Sequence, residues 1–328
     1  MELRHLGRTG LRVSRLGLGT LTWGRDVGEQ DAAELLKAFW EAGGTLVDTA
    51  DVYGDGGAEV LLGRLVGSLV PRRDVVLATK AGSVPDPYRR VDGSRGHLLA
   101  ALDASLERLG TDHVDLWQVH AFDPATPLEE TLQAVDIAVS SGRARYAGVA
   151  DFSGWQLAKA AAWQLAGQGA RTRLASTQME YSLVQRGVER EVLPGALDLG
   201  VGLLPSSPLG RGVLTGKYRN GARPAGSRGA SERLAGFVAP YLDDAAARIV
   251  DAVTIAADGL AVTPAQVALV WVRDRPGVAA PLLGARTARQ LDEALSVEDL
   301  TLPEEISRAL DDVSAPVHHY PDHDWSTL

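Results

Sequence analysis

Four side chains, Asp48, Tyr53, Lys80 and His120, are of the types that together can move a proton onto an oxygen. A tyrosine hydroxyl titrates near ~10 and is a poor acid at neutral pH. An ammonium beside it favours the phenolate and lowers that value. Asp48 would pair with Lys80 and keep it charged and placed. His120 would donate a hydrogen bond to a carbonyl oxygen. The set is then a general acid with an oxyanion-type clamp, suited to protonating an oxygen while hydride reaches its carbon. Taken singly, each residue has a plainer reading. Asp48 could cap a turn, Tyr53 could be a half-buried aromatic, Lys80 a surface lysine and His120 a hydrogen-bonded core histidine. The chain is sparing with lysine: four Lys (37, 80, 159 and 217) stand against 29 Arg, and lysine is the cation whose pKa can be shifted.

These side chains need strands to bring them together. Asp48 ends a short apolar, β-branched run, 45–47, and Tyr53 follows in a turn marked by Gly54, Gly56 and Gly57. A run of that kind reads as a buried parallel strand. In α/β proteins the ligand faces the C-terminal ends of such strands. Residues 3–14 read as a hairpin turning at Gly7 and Gly10. Strands and helices then alternate: strands at 16–18, 45–48, 75–79, 114–119, 146–149, 176–179, 201–204 and 278–282, with helices at 31–42, 58–69, 95–109, 128–141, 154–165, 189–197 and 288–295. The connection after 201–204 is long and Gly/Pro-rich and holds two helical patterns, 243–257 and 264–273, and a last helix spans 303–313.

About eight βα units fit a closed (β/α)8 TIM barrel in one domain over 1–328, with the barrel at about 15–300 and a C-terminal helix and tail at 301–328. The surplus is the N-terminal β-hairpin, an extra helix in the seventh unit, and that helix and tail. A doubly wound sheet is the competing α/β fold, but 17–22 lack the third glycine of its fingerprint. In the barrel, Asp48, Tyr53, Lys80, His120 and Gln178 all reach one rim.

Composition excludes several classes. A net charge of -9 argues against nucleic acid or an acidic membrane as partner. With no Cys there are no disulfides and no thiolate metal sites. No apolar segment approaches the ~20 residues of a membrane span and the N-terminus has no apolar leader, so a cytoplasmic protein is expected. The tail residues His318, His319, Asp322, His323 and Asp324 have metal-ligand types but no recognisable spacing, and no metal is expected. Oligomeric state is not readable.

Asp48, Tyr53, Lys80 and His120 resemble the catalytic tetrad of the aldo-keto reductases. The stretch 48–59 (DTADVYGDGGAE) is similar to the family signature around its Asp and Tyr. Residues 6–14 resemble its N-terminal hairpin, 208–218 its segment after the seventh strand, and 283–291 its motif for the adenosine phosphate. The resemblance runs from about residue 3 to about 313. It implies a barrel that binds NADP(H), passes hydride to an aldehyde or ketone and protonates the oxygen from Tyr53. It also implies that Gln178 holds the nicotinamide carboxamide and that the backbone of Leu209, Gly210 and Gly212 wraps the pyrophosphate. Gly284, Arg286 and Gln290 would meet the adenosine phosphate end. An Arg at a helix N-terminal turn suits a phosphate independently of the resemblance.

The sequence departs from the family at three places. Ala150 and Asp151 stand where Ser-Asn is usual; Asp151 can accept from the carboxamide but, ionised, cannot donate to it. Ser206 stands where a ring often stacks on the nicotinamide, and Ala294 where an Asn often meets adenine. Trp23, Tyr53, Tyr88, His120 and Trp325 are expected to line the substrate pocket. The expected partner is a small carbonyl compound. The alternatives are reduction of a nucleotide-linked deoxysugar and a non-catalytic subunit that senses NADP(H).

Overall fold

The computed structural model describes residues 1–85, 90–167, 169, 171–232 and 234–316. A hairpin comes first, β1 (Leu3–His5) paired antiparallel with β2 (Arg12–Ser14). Then follow β3 (Gly17–Gly19), α1 (Glu29–Glu41), β4 (Leu46–Asp48), α2 (Gly57–Leu65), β5 (Val76–Ala81), α3 (Arg95–Leu109), β6 (Val114–Val119), α4 (Leu128–Ser140), β7 (Ala144–Ala150), α5 (Gly154–Leu165), β8 (Leu174–Glu180), α6 (Val192–Leu199) and β9 (Gly202–Ser206). The long connection carries short α7 (Ala235–Val238) and then α8 (Asp244–Leu260) and α9 (Pro264–Arg273). The chain ends with β10 (Leu282–Leu283), α10 (Ala288–Leu295) and α11 (Glu304–Val313).

Strands β3 to β10 form one parallel sheet in the order β10-β3-β4-β5-β6-β7-β8-β9. The seam closes through residues just before β10: Ala279 N donates to Leu203 O at 2.8 Å, and Leu203 N to Gly277 O at 2.9 Å. The result is the expected (β/α)8 barrel.

Alternation along each strand builds the interior in layers. Leu46, Ala78, Leu116, Ala175, Leu204 and Leu282 form an apolar layer, and Leu6 and Val13 of the hairpin plug it from below. Two residues on along three of these strands stand Asp48, Lys80 and Gln118, all buried. Outside the strands, a larger apolar core packs sheet against helices. Caps fix helix starts: at α9, Thr263 accepts from Gln266 N, Gln266 reaches back to Thr263 N, and Pro264 opens the first turn.

Four elements differ from the sequence reading. The second helix stops at Leu65, not at 69, because Val66 is extended and Gly67 has φ +94°. The sixth begins at Val192, which leaves Pro194 in the first turn, where its missing N–H costs nothing. The eighth strand is only Leu282–Leu283, since Pro281 has no N–H to give the ladder; upstream, Val278 makes only the bridge to Leu203. The third strand runs longer, to Ala81, so Lys80 lies inside it instead of beyond its end.

The hairpin turn sits hard against the barrel floor. Gly7 has φ +60°, and a Cβ there would lie 2.5 Å from Gly200 O and 2.8 Å from Ala175 O. At Gly10 an added Cβ would meet only Tyr146 Oη, at 3.5 Å. Gly7→Ala is expected to destabilise the protein by roughly 1–3 kcal/mol in urea unfolding, and Gly10→Ala by clearly less.

Candidate active site

The sheet register assembles the four chemical side chains. Asp48 lies beside Ala78 on the neighbouring strand, and Lys80 beside Gln118 on the next. Lys80 is 0% exposed. Its Nζ donates to Asp48 Oδ2 at 2.6 Å, to Thr49 O at 2.8 Å and to Tyr53 Oη at 3.3 Å. The ammonium also sits 4.9 Å from the Tyr53 ring centre. Burial alone would push the lysine down, but Asp48, with Tyr53 behind it, outweighs that and holds the pKa above its usual value.

Tyr53 departs from the expectation of a lowered phenol. Burial raises its pKa, Lys80 pulls it down and Asp48 pushes it up again, and the net direction is upward. The hydroxyl therefore keeps its proton at neutral pH. His120 packs edge-on to Tyr53 with ring centres 6.0 Å apart. Burial, and then the Lys80 charge, lower its pKa to about 3, so the ring is neutral. Its Nδ1 is buried with no hydrogen-bond partner among the described residues.

Asp48 is also held from the other side. Gln178 Nε2 donates to its Oδ1 at 2.9 Å and Gln118 Nε2 at 3.5 Å; Ser176 Oγ in turn donates to Gln118 Oε1 at 3.1 Å. Gln178 is thus already committed through its NH2, while its carbonyl oxygen accepts no hydrogen bond among the described residues. Gln118 and Ser176 were not singled out from sequence. Alternation with Leu116 and Gln178 was the only signal they carried.

A cleft of about 310 Å3 runs from Asp48, Tyr53 and Gln178 past Ser206, Leu209 and Gly212 to Gly284, Arg286, Gln290 and Ala294. Seven of the nine residues expected at a cofactor lie along it. Gly210 is not among its walls: its φ is +55°, a Cβ there would meet Val184 at 2.4 Å, and its N–H donates to Ser207 O. Gly212 N likewise donates to Leu209 O at 3.0 Å. Asp151 is not a wall either; it holds φ +52° at the rim, a backbone that Asn and Asp tolerate better than most residues. The Gln290 amide carbonyl accepts from Arg286 N at 2.9 Å, which ties the turn before α10.

Four further cations line the cleft: Arg211, Lys217, Arg228 and Arg289. Lys217 Nζ lies where it would be 2.9 Å from a Cβ on Gly212, and an Arg228 amino group 3.8 Å from one on Gly284. The pKa of Lys217 is lowered by burial and then by Arg228 and Arg286; that of Arg228 by burial and then by Arg286. Cations gathered this closely suit an anion between them. Arg228 and Arg289 were missed from sequence, because charge on a loop or helix start is ordinary. Arg211, also on a cleft wall, is instead satisfied by Glu180, at 2.9 Å from its Nε, and by stacking on Phe237.

The Aldo/keto reductase family model matches residues 15–315. The chain belongs to the aldo/keto reductase family. It is 37% identical to an uncharacterised oxidoreductase of Bacillus subtilis over 95% of this chain and 96% of the relative. A probable voltage-gated potassium channel subunit beta of Oryza sativa is 37% identical, covering 94% and 95%. The versiconal hemiacetal acetate reductase of Aspergillus parasiticus is 33% identical, covering 93% and 95%. As a member of this reductase family the protein is an oxidoreductase.

One expected pocket residue is placed elsewhere by the structure. Trp23 is 0% exposed and belongs to the core between sheet and helices, so it presents no surface to a substrate. Tyr88 lies outside the described residues, as do Trp325 and the His-rich tail. Among the described residues no group of three or more His, Asp or Glu is arranged to hold a metal, and no single helix is long and apolar enough to cross a membrane.

The neutral state of His120 has a direct check. With its pKa lowered to about 3, its ring 15N shifts are expected to keep the neutral pattern from pH 8 down to about pH 4 in an NMR titration. A titration midpoint near the ordinary value of about 6.5 would show that the site does not exclude the charged ring.

Proposed function

We propose that this oxidoreductase reduces an aldehyde or ketone to an alcohol with NADPH, with Tyr53 as the general acid. The observation that carries the reading is the buried Lys80 ammonium, held between Asp48 at 2.6 Å and the Tyr53 hydroxyl at 3.3 Å, at the head of a cleft lined with Lys217, Arg228, Arg286 and Arg289. The cleft's chemistry fits a phosphate-bearing nicotinamide nucleotide, which when bound supplies the hydride.

The chain's own residues do the rest. Tyr53 donates its proton to the carbonyl oxygen as negative charge develops there. Lys80, fixed by Asp48, stabilises the resulting phenolate, so the high pKa of the resting hydroxyl does not block transfer. Neutral His120 supplies an N–H toward the same oxygen. Gln178 offers its amide oxygen to the carboxamide NH2, and Ser206 takes the place of a stacking ring with a small polar group. Lys217, Arg228 and Arg286 neutralise the phosphates, and the Arg pair supports NADPH over NADH. Asp151 is assigned only to the rim beside the carboxamide, and Gly210 to shaping the turn that carries Leu209 and Gly212.

The complete tetrad favours a working enzyme over a cofactor-sensing subunit. NADPH oxidation with 4-nitrobenzaldehyde is expected in the wild type. Tyr53→Phe should lower kcat by about 10²–10⁴-fold while leaving the NADPH dissociation constant near the wild-type value. NADPH binding without turnover of any carbonyl would point to the sensor; failure to bind NADPH would defeat the reading. In the same assay, Arg286→Ala should weaken NADPH by about tenfold or more and NADH much less, because only the former carries the extra phosphate.

A further inference from the structure

A second cavity, of about 520 Å3, opens at the other end of the barrel. It lies where β7, β8 and β9 begin, under the hairpin turn, so it shares no residue with the cleft. Arg8, Arg145 and Arg173 line it together with the Tyr146 ring. Among the described residues none of these three guanidinium groups has a carboxylate within 4.0 Å; Arg8 has only a long hydrogen bond, 3.4 Å, to Leu197 O. This is not forced by a shortage of acids, since Asp and Glu number 42 against 33 basic residues. Arg143, two residues from Arg145, is paired with Asp103 at 2.6 Å.

Two carboxylates are near. Asp198 lines the cavity and closes no ion pair among the described residues. Asp112 feels the Arg145 charge, but its carboxylate is bound to His113 at 2.6 Å. The lining residues alone therefore carry three positive charges against one negative. The deeper walls are apolar and buried, Ala161, Leu174 and Val201 among them. The volume falls within the roughly 300–1,000 Å3 of small-molecule sites.

We infer that this floor cavity binds an organic phosphate monoester, its dianionic head held by Arg8, Arg145 and Arg173 and its apolar body against Leu174 and Val201. A phosphate monoester carries close to two negative charges at neutral pH, which matches the net charge of the lining. Guanidinium groups bind such oxygens in pairs of hydrogen bonds. The apolar walls favour an esterified phosphate over the free ion, because burying the organic group adds affinity that inorganic phosphate lacks. The site stands independently of the reductase reading.

The test is calorimetric titration of phenyl phosphate into the full chain carrying Lys217→Ala and Arg286→Ala, which removes cations of the cleft. One phosphate-ester site is expected to remain. Adding Arg145→Ala and Arg173→Ala should weaken it by about tenfold or more, and added salt should weaken it too. Both arginines are exposed, so the fold should survive, as circular dichroism would show. Phenol is expected not to bind. NADPH oxidation by the Arg145→Ala, Arg173→Ala protein should match the wild type. The inference is overturned if no binding is seen at millimolar phenyl phosphate, or if binding is indifferent to the loss of Arg145 and Arg173. Inorganic phosphate binding as tightly as the ester would overturn the assignment of an organic phosphate.

Discussion

The site depends on one buried charge. Lys80 has no solvent contact, and an ammonium taken out of water costs several kcal/mol unless it is paired and hydrogen-bonded. Asp48 supplies the countercharge, and Thr49 O and Tyr53 Oη take the remaining donors. Each of those acceptors is delivered by the strand next to that of Lys80 or by the turn after it. The pairing is tolerable only because Asp48 is itself satisfied from the far side by Gln178 and Gln118. A cation, its counterion and two amides therefore fix one another's positions, and the phenol at their edge inherits a fixed place.

The barrel makes this affordable by separating layers. Residues two apart on a strand face the same way, so Leu46 and Asp48, or Leu116 and Gln118, form an apolar layer with a polar one directly above it. The hairpin closes the apolar layer from below. The polar layer of Asp48, Lys80 and Gln118 then lies toward the end where the strands stop and the loops begin. The helices outside carry the bulk of the apolar core, and α10 also lends Arg289, Gln290 and Ala294 to the cleft wall.

Charge is distributed with similar selectivity. Many arginines of this acidic chain are paired with carboxylates, including the buried Glu59, which holds Arg108 at 2.6 Å. Lys217, Arg228 and Arg286 are left together along the cleft, and Arg8, Arg145 and Arg173 around the floor cavity. Clusters of like charge cost stability. They are understandable as places prepared for anions.

The sequence by itself determined the order of strands and helices and singled out Asp48, Tyr53, Lys80 and His120 as the candidate chemical residues. Those rest on local signals: alternation, helical periodicity, turn glycines, and an acid at a strand end followed by a tyrosine. It also carried the family resemblance that the comparison bears out over residues 15–315. It did not determine that Tyr53 is pushed up instead of down, because the balance between burial and a neighbouring charge is set by atoms from several strands. It placed Trp23 at the pocket, whereas packing put it in the core. It gave no sign that Arg228 would face Arg286, or that Arg8, Arg145 and Arg173 would ring one cavity, since these residues are far apart in the chain. Closing the barrel decided those juxtapositions. The physical reason is that register and closure act across neighbouring strands, and no local stretch of sequence encodes the distance between two strand ends.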